Sequence, residues 1–298
     1  MTHLNFDTVH ALVADPDPRA AAQMEAELRE IGVINIRTID SLEAVRSALR
    51  ENFFDLFIAA AEWSEGNLGE MINAVRHGEM GPNPYLFILV TDEDVGSISA
   101  RRASRNGAEA LLPTPVNAAT LGDTLRKACQ ARGLFVATSD YVGPDRRAAG
   151  HGESLIPLLE VPNSLRERAE GPFNDEKLAV DVFEMMTRIN HEKLDRHSAL
   201  VVLLTNRVGP DLLVGGVDEG VRVFFEQITW LAEDAIRRLG APPGDPSIKA
   251  CNALIGKIAE LDGMRGTPSN SEVNELIQLA YDVKAQIAPD IENYAPRY

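Results

Sequence analysis

Over its first 131 residues the chain alternates, without a skipped step, between short apolar runs closed by turn residues and capped stretches with helical spacing. Ala11-Leu12-Val13-Ala14 reads as a buried strand, and Asp15-Pro16-Asp17-Pro18 breaks it and opens a helix that runs to Glu30 and stops at Gly32. Asp17 suits the cap, and Pro18 suits the first turn because its missing N–H would have no partner there. Ile34 to Ile39 is a second strand, and Ser41 caps a helix from Leu42 to Arg50, with Glu43 early and Arg50 late as the helix dipole favours. Phe54 to Ala60 is a third strand, followed by a helix near Leu68 to Arg76. Tyr85 to Thr91 is a fourth, followed by a helix near Val95 to Arg105 that Asn106-Gly107 stops. Ala110-Leu111-Leu112 is a fifth, and Asn117 caps a last helix to Ala131. Strands joined by helical crossovers lie parallel, and the helices cover both faces of the sheet. The expected fold of residues 1–131 is α/β, a doubly wound five-stranded parallel sheet with its functional groups at the carboxyl ends of the strands.

Those ends carry Asp15 and Pro16, Ala60, Thr91, and Thr114 before Pro115. With the fragments ALVADPDP, DLFIAA, ILVTD and NGAEALLPTPV in this order and spacing, residues 9–131 resemble the receiver domain of bacterial response regulators, a flavodoxin-like fold. The resemblance implies two acids after the first strand that hold Mg²⁺, and an aspartate at the end of the third that accepts a phosphoryl group. It also implies a hydroxyl after the fourth strand and a lysine before a proline after the fifth, both on the phosphoryl oxygens. This chain departs from that pattern. Asp15 and Thr91 match, but Pro16 stands at the second acid, Ala60 at the acceptor and Thr114 at the lysine. Leu111 replaces an aromatic residue of the fifth strand that rotates on activation.

The losses are chemical ones. A methyl group has no lone pair with which to attack phosphorus. Charge developing on the transferring oxygens needs a cation and an ammonium beside it, and one carboxylate is a poor cage for Mg²⁺. The expectation is a pseudo-receiver with no catalytic residue, no metal and no cofactor. Glu62 and Glu65, in the loop after the third strand, read as solvated charges, and Asp15 without its partners reads as a helix cap. Trp63 either anchors a partner at the pocket mouth or covers the apolar end of the strand.

Residues 132–173 are rich in Gly and Pro and lack sustained periodicity, so they read as an irregular linker. They contain the apolar clusters Leu134-Phe135-Val136 and Leu155 to Leu159, suited to lying on a domain surface. Tyr141-Val142-Gly143-Pro144-Asp145-Arg146-Arg147 is similar to a tail that follows receiver domains in bacterial, especially alphaproteobacterial, regulators. Arg146 and Arg147 are candidate contacts for an acidic partner, against the alternative of a local ion pair or a solvated turn.

From residue 174 to 298 the period is helical throughout, and an α-helical bundle is expected. Phe183, Met186, Asn190, Leu194, His197, Val201 and Leu204 make the stripe of a first helix reaching Asn206. Val217, Val221, Phe224, Ile228, Leu231, Ala235 and Leu239 make that of a second, ended by Gly240. Asp245-Pro246 starts a third, and Ser269 to Glu272 is a capping box for a fourth. The opening helices look longer than the last two. Self-pairing of the protruding second stripe would make a homodimer through Val217, Val221, Phe224, Ile228 and Leu231.

A bundle beside a receiver raises histidine phosphotransfer as an alternative. His191 shares a polar face with Glu184, Arg188 and Asp195, but it lacks the Lys and Gly that resemblance to such modules would require three and four residues later. His197 lies on the apolar stripe and reads as a hydrogen-bonded, half-buried histidine. A nucleic-acid-binding output module is the other alternative; no basic recognition helix supports it. The net charge of −16 repels phosphate backbones and anionic membranes. Cys129 and Cys251 stand alone, with no disulfide or zinc spacing. No basic-then-apolar leader and no apolar run near the ~20 residues of a membrane span is visible. Together these features lead us to expect a cytoplasmic, non-enzymatic bacterial signalling adaptor that acts through protein partners.

Overall fold

The computed structural model describes residues 4–147 and 156–290. The chain divides into two compact units, Met1–Met185 and Met186–Tyr298. In the first, five strands form a parallel sheet of order β2-β1-β3-β4-β5. They are β1 (His10–Ala14), β2 (Asn35–Ile39), β3 (Leu56–Ala60), β4 (Phe87–Asp92) and β5 (Ala110–Pro113). Between and after them run α1 (Pro18–Glu30), α2 (Leu42–Glu51), α3 (Leu68–Arg76), α4 (Ile98–Arg105) and α5 (Ala118–Gln130). This is the doubly wound, flavodoxin-like order. Asp17, Ser41, Asn67, Ser97 and Asn117 each cap the helix that follows by accepting a backbone N–H.

Successive strand residues point to opposite faces, so each strand feeds two cores. Leu12, Phe57, Ile88 and Val90 pack with Val45, Met71, Ile72 and Ala100 from α2, α3 and α4. Val13, Leu56, Ile58 and Leu89 pack with Met24 and Leu28 of α1 and Leu121 and Leu125 of α5.

Residues 132–173 are not an irregular linker. They supply the antiparallel hairpin β6 (Phe135–Ala137) and β7 (Val142–Pro144), then α6 (Ser164–Glu170), and all belong to the first unit. Phe135 also bridges Leu159, so the two apolar clusters meet each other; Leu155 lies outside the described residues. Phe135 and Leu159 are fully buried, and Leu165 and Ala169 of α6 join the α5-side core. Three-residue strands are too short to show a period, which is why the segment reads as loop.

α7 (Asp175–Gly215) is one helix of 41 residues that passes through the division between the units. It continues past Asn206 and through Pro210, because Val208 and Leu212 on either side are buried in the bundle core. Gly209 lets α7 approach α10 (Asn270–Asp290) closely: a Cβ there would sit 3.4 Å from Val273 and Ile277 side-chain atoms. The rest of the second unit is α8 (Glu219–Leu239) and α9 (Pro246–Asp262).

The stripe assigned to self-pairing is consumed inside this bundle. Val221, Ile228 and Leu231 are buried, and Val217 and Phe224 pack against the same core, with partners from α7, α9 and α10. At 21 residues α8 is no longer than α10, so the stripe has no protruding part. α7 is long and apolar enough by length and composition to cross a membrane, contrary to expectation. One of its faces nonetheless lies in the bundle core, and Arg207 pairs with Asp211 on the exposed side.

Candidate functional site

The parallel register aligns the carboxyl ends: Ala14 lies beside Ala59, Ala60 beside Thr91, and Asp92 beside Pro113. Asp15, Ala60, Thr91 and Thr114 are thereby brought to one end of the sheet, as the sequence predicts. A depression of about 440 Å³ opens there, lined by Asp15, Gln23, Met24, Thr91, Glu93 and Thr114 among others. Its charged lining is acidic only, Asp15 and Glu93. The Thr114–Pro115 peptide is cis.

Each surviving polar group is occupied locally. Asp15 accepts the Asp17 N–H at 2.8 Å through Oδ1. Burial pushes its carboxyl above the usual range; the Asp17 N–H bond opposes that rise and the Asp17 charge adds to it. The Thr91 hydroxyl is buried and donates to the Ala59 carbonyl at 3.4 Å. Asp92 accepts from the Ser97 hydroxyl at 2.6 Å and the Asp94 N–H at 3.1 Å. Trp63 donates its indole N–H to the Ala60 carbonyl at 2.8 Å and packs half-buried on the core. It therefore covers the strand end. Glu62 and Glu65 are both exposed, and Glu65 also accepts the Leu42 N–H at the start of α2.

A divalent cation does not fit these residues. Asp15 has Pro16 rather than a carboxylate beside it and Ala60 opposite. Among the described residues no group of three or more His, Cys, Asp or Glu side chains gathers as a metal cage. The end of the sheet can accept hydrogen bonds, but Ala60 offers no nucleophile, and among the described residues lining the depression none is a cation for a phosphoryl oxygen.

The tail motif serves the opposite, amino-terminal end of the sheet. Tyr141 donates its hydroxyl to the Pro144 carbonyl at 2.9 Å, and Arg146 donates to the Ala108 carbonyl. Arg147 pairs with Asp145 at 2.8 Å. Gly143 lies against Gly107, where an added Cβ would meet the Gly107 Cα at 3.0 Å; Gly107 itself has φ +112°. Arg146 and Arg147 are thus bonded within the first unit, the local alternative.

Sequence reasoning missed the buried charges beneath this motif. Arg76 and Arg132 both pair with Glu109, at 2.9 and 2.6 Å, and both stack on the Phe135 ring. Burial draws the Arg76 guanidinium down to about 10, so it stays charged at neutral pH. Asp55, fully buried before β3, accepts the His10 N–H at 2.9 Å and pairs with Arg168 of α6 at 2.8 Å. Partners 23 to 113 residues apart leave no local signature.

In the second unit His191 is half-buried on α7 rather than exposed, and it makes contacts of its own. His197 is fully buried; its Nδ1 lies 2.7 Å from the Lys193 carbonyl and its Nε2 3.3 Å from Asp234. Burial pushes His197 down to about 4, against the pull of the Asp234 carboxylate. Burial raises Asp234, but Arg238, His197 and Arg237 outweigh it and hold the carboxyl low.

No protein-family model matches the chain, and no curated protein matches it. Among solved structures, the chain is similar to chemotaxis protein CheY4 of Vibrio cholerae, at 19% identity and TM-score 0.36, over 40% of this chain and 97% of that one. It is similar to the receiver domain of sensor histidine kinase PA1611 from Pseudomonas aeruginosa, at 18% identity and TM-score 0.36, over 40% and 95% of the two chains. Full-length FixJ of B. japonicum matches at 14% identity and TM-score 0.34, over 92% and 98%. The doubly wound, flavodoxin-like order is carried by this chain's own strand pairing.

Proposed function

We propose that the chain is a pseudo-receiver: a non-enzymatic, cytoplasmic signalling adaptor of the bacterial two-component type that works by binding proteins. The observation that carries this reading is Ala60 at the acceptor position, with the Trp63 indole bonded to its carbonyl and covering the strand end. Phosphotransfer through His191 is not proposed, since that side chain is half-buried. Neither is self-association through the α8 stripe, which the bundle covers. Nucleic acid is disfavoured as a partner by the charge of −16.

Incubation of the purified protein with a small phosphodonor and Mg²⁺, followed by intact-mass analysis, tests the reading. No phosphoryl adduct is expected. A stoichiometric adduct mapped to residues 9–131 would overturn it, and one on His191 would replace it with phosphotransfer.

A further inference from the structure

The first unit has 17 Lys and Arg against 29 Asp and Glu, a net charge of −12. Within that acidic unit α4 carries three arginines and no acid. Ala100 and Ala103 are buried in the core, which turns Ile98, Arg101, Arg102 and Arg105 outward at spacings of three, four and seven, one helical face. All four are exposed, Ile98 at 79%.

Seven other arginines of the unit are ion-paired: Arg29, Arg46, Arg76, Arg126, Arg132, Arg147 and Arg168. Among the described residues, the guanidiniums of Arg101, Arg102 and Arg105 have neither an ion-pair nor a hydrogen-bond partner. Arg102 and Arg105 in the last turn suit the helix dipole, but that accounts for neither Arg101 nor the bare Ile98.

Arg102 is also positioned. Its stem crosses Gly69 at the start of α3, where a Cβ would meet the Arg102 Cγ at 2.9 Å. It lines a depression of about 460 Å³ with Glu62, Trp63, Ser64, Asn67 and Ser99.

We propose that this face of α4 is a docking surface for an acidic protein segment with an apolar anchor. The arginines meet its carboxylates, and Ile98 with the rim of Trp63 meets the anchor. Charge complementarity selects the occupant. Eight helical residues span about 12 Å at 1.5 Å each, room for a peptide of two turns. A nucleic acid or an anionic membrane would extend past the patch onto Glu62, Glu93, Asp94 and the acidic remainder of the unit.

The inference rests on the adaptor reading, and the phosphodonor assay tests that reading without involving α4, so the two fail separately. The probe is a short fluorescein-labelled peptide with Glu and Leu at helical spacing, titrated with the full chain and followed by anisotropy. Saturable binding is expected, weakened roughly tenfold by Arg101→Gln/Arg102→Gln/Arg105→Gln and by raising salt toward 1 M. Glu62→Gln should tighten it. The triple variant should keep the parent's unfolding midpoint because the three side chains are exposed; if it does not fold, Ile98→Ser with Arg101→Gln takes its place. Absence of saturable binding, or binding indifferent to these substitutions, would overturn the proposal. So would tighter binding of a single-stranded oligonucleotide or phosphatidylserine vesicles through the same arginines.

Discussion

Arg168→Ala should destabilise the first unit far more than a substitution in a linker could. Asp55 is fully buried, and Arg168, itself nearly so, lies 2.8 Å from it. The Arg168 Nε–H points off the line to the carboxylate, so the contact is chiefly Coulombic. Burial pushes the Asp55 carboxyl up, against the His10 N–H, Arg168 and Ser164, so its charge is already held at a cost. Removing one partner of a buried pair costs about 3–5 kcal/mol, because the other charge is left in a dry site. The guanidinium also lies 3.7 Å over the Phe173 ring, a contact worth about 0.5–2 kcal/mol. With a urea dependence of roughly 2 kcal/mol/M, the unfolding midpoint should fall by about 2–3.5 M.

The two tryptophans make that assay unit-specific, since Trp63 lies in the first unit and Trp230 in the second. Unfolding is followed by Trp63 fluorescence in a Trp230→Phe background. Asp55→Asn should cost less, because Arg168 keeps Asp175 at 3.0 Å and Phe173. The double variant should be less damaged than the sum of the singles by about 2 kcal/mol. The deficit of Arg168→Ala should shrink as pH falls, since a protonated Asp55 needs no counter-charge. A loss below 1 kcal/mol, or strict additivity, would refute the assignment of Arg168 as the buried partner.

In the second unit, the unfolded chain protonates His197 at its ordinary 6.5, whereas the fold holds it at about 4. The native state therefore binds fewer protons between those values; stability is full above 6.5 and falls toward pH 4, by at most about 3 kcal/mol. Asp234, held low, adds its own loss only below the usual carboxylate range. Trp230 fluorescence in a Trp63→Phe background reads the slope, and a profile that is flat, or unchanged in His197→Gln, would contradict it. Gly143→Ala should lower the first unit's thermal midpoint, at a cost of about 1–3 kcal/mol, since its Cβ would meet the Tyr141 hydroxyl at 2.5 Å and Gly107 Cα at 3.0 Å. An unchanged midpoint in calorimetry would show that the hairpin slides freely. Ala60→Asp alone should remain a poor phosphoryl acceptor by intact mass, because Pro16 and Thr114 still leave metal and oxygen contacts missing.

What could be read from sequence were the elements that carry their own signals. β1, β3, β4 and β5 announce themselves as apolar runs ended by turn residues, and Asp17, Ser41 and Asn117 cap the helices they precede. What could not be read depended on distant partners. The hairpin β6–β7 has no periodicity and exists because Phe135 is held by Tyr85, Arg76, Arg132 and Leu159. The α8 stripe was legible as a stripe, but its partner was not. Period identifies an apolar face without identifying what covers it, and here the cover comes from within the same bundle.

The same distinction governs the candidate site. Residue types at the strand ends show that nucleophile, second acid and lysine are missing, which is a statement about chemistry that needs no coordinates. Only coordinates show what the remaining groups do instead. The Thr91 hydroxyl turns to Ala59, Asp15 to Asp17, and Trp63 to the Ala60 carbonyl, so the hydrogen bonds that survive tie the strand ends to their own loops. Glu65 fastens the same loop to the start of α2. The loop is thus tethered at both Ala60 and Leu42. Those tethers restrain Trp63 beside the Arg102 depression, and a surface restrained before docking loses less ordering entropy when a partner binds.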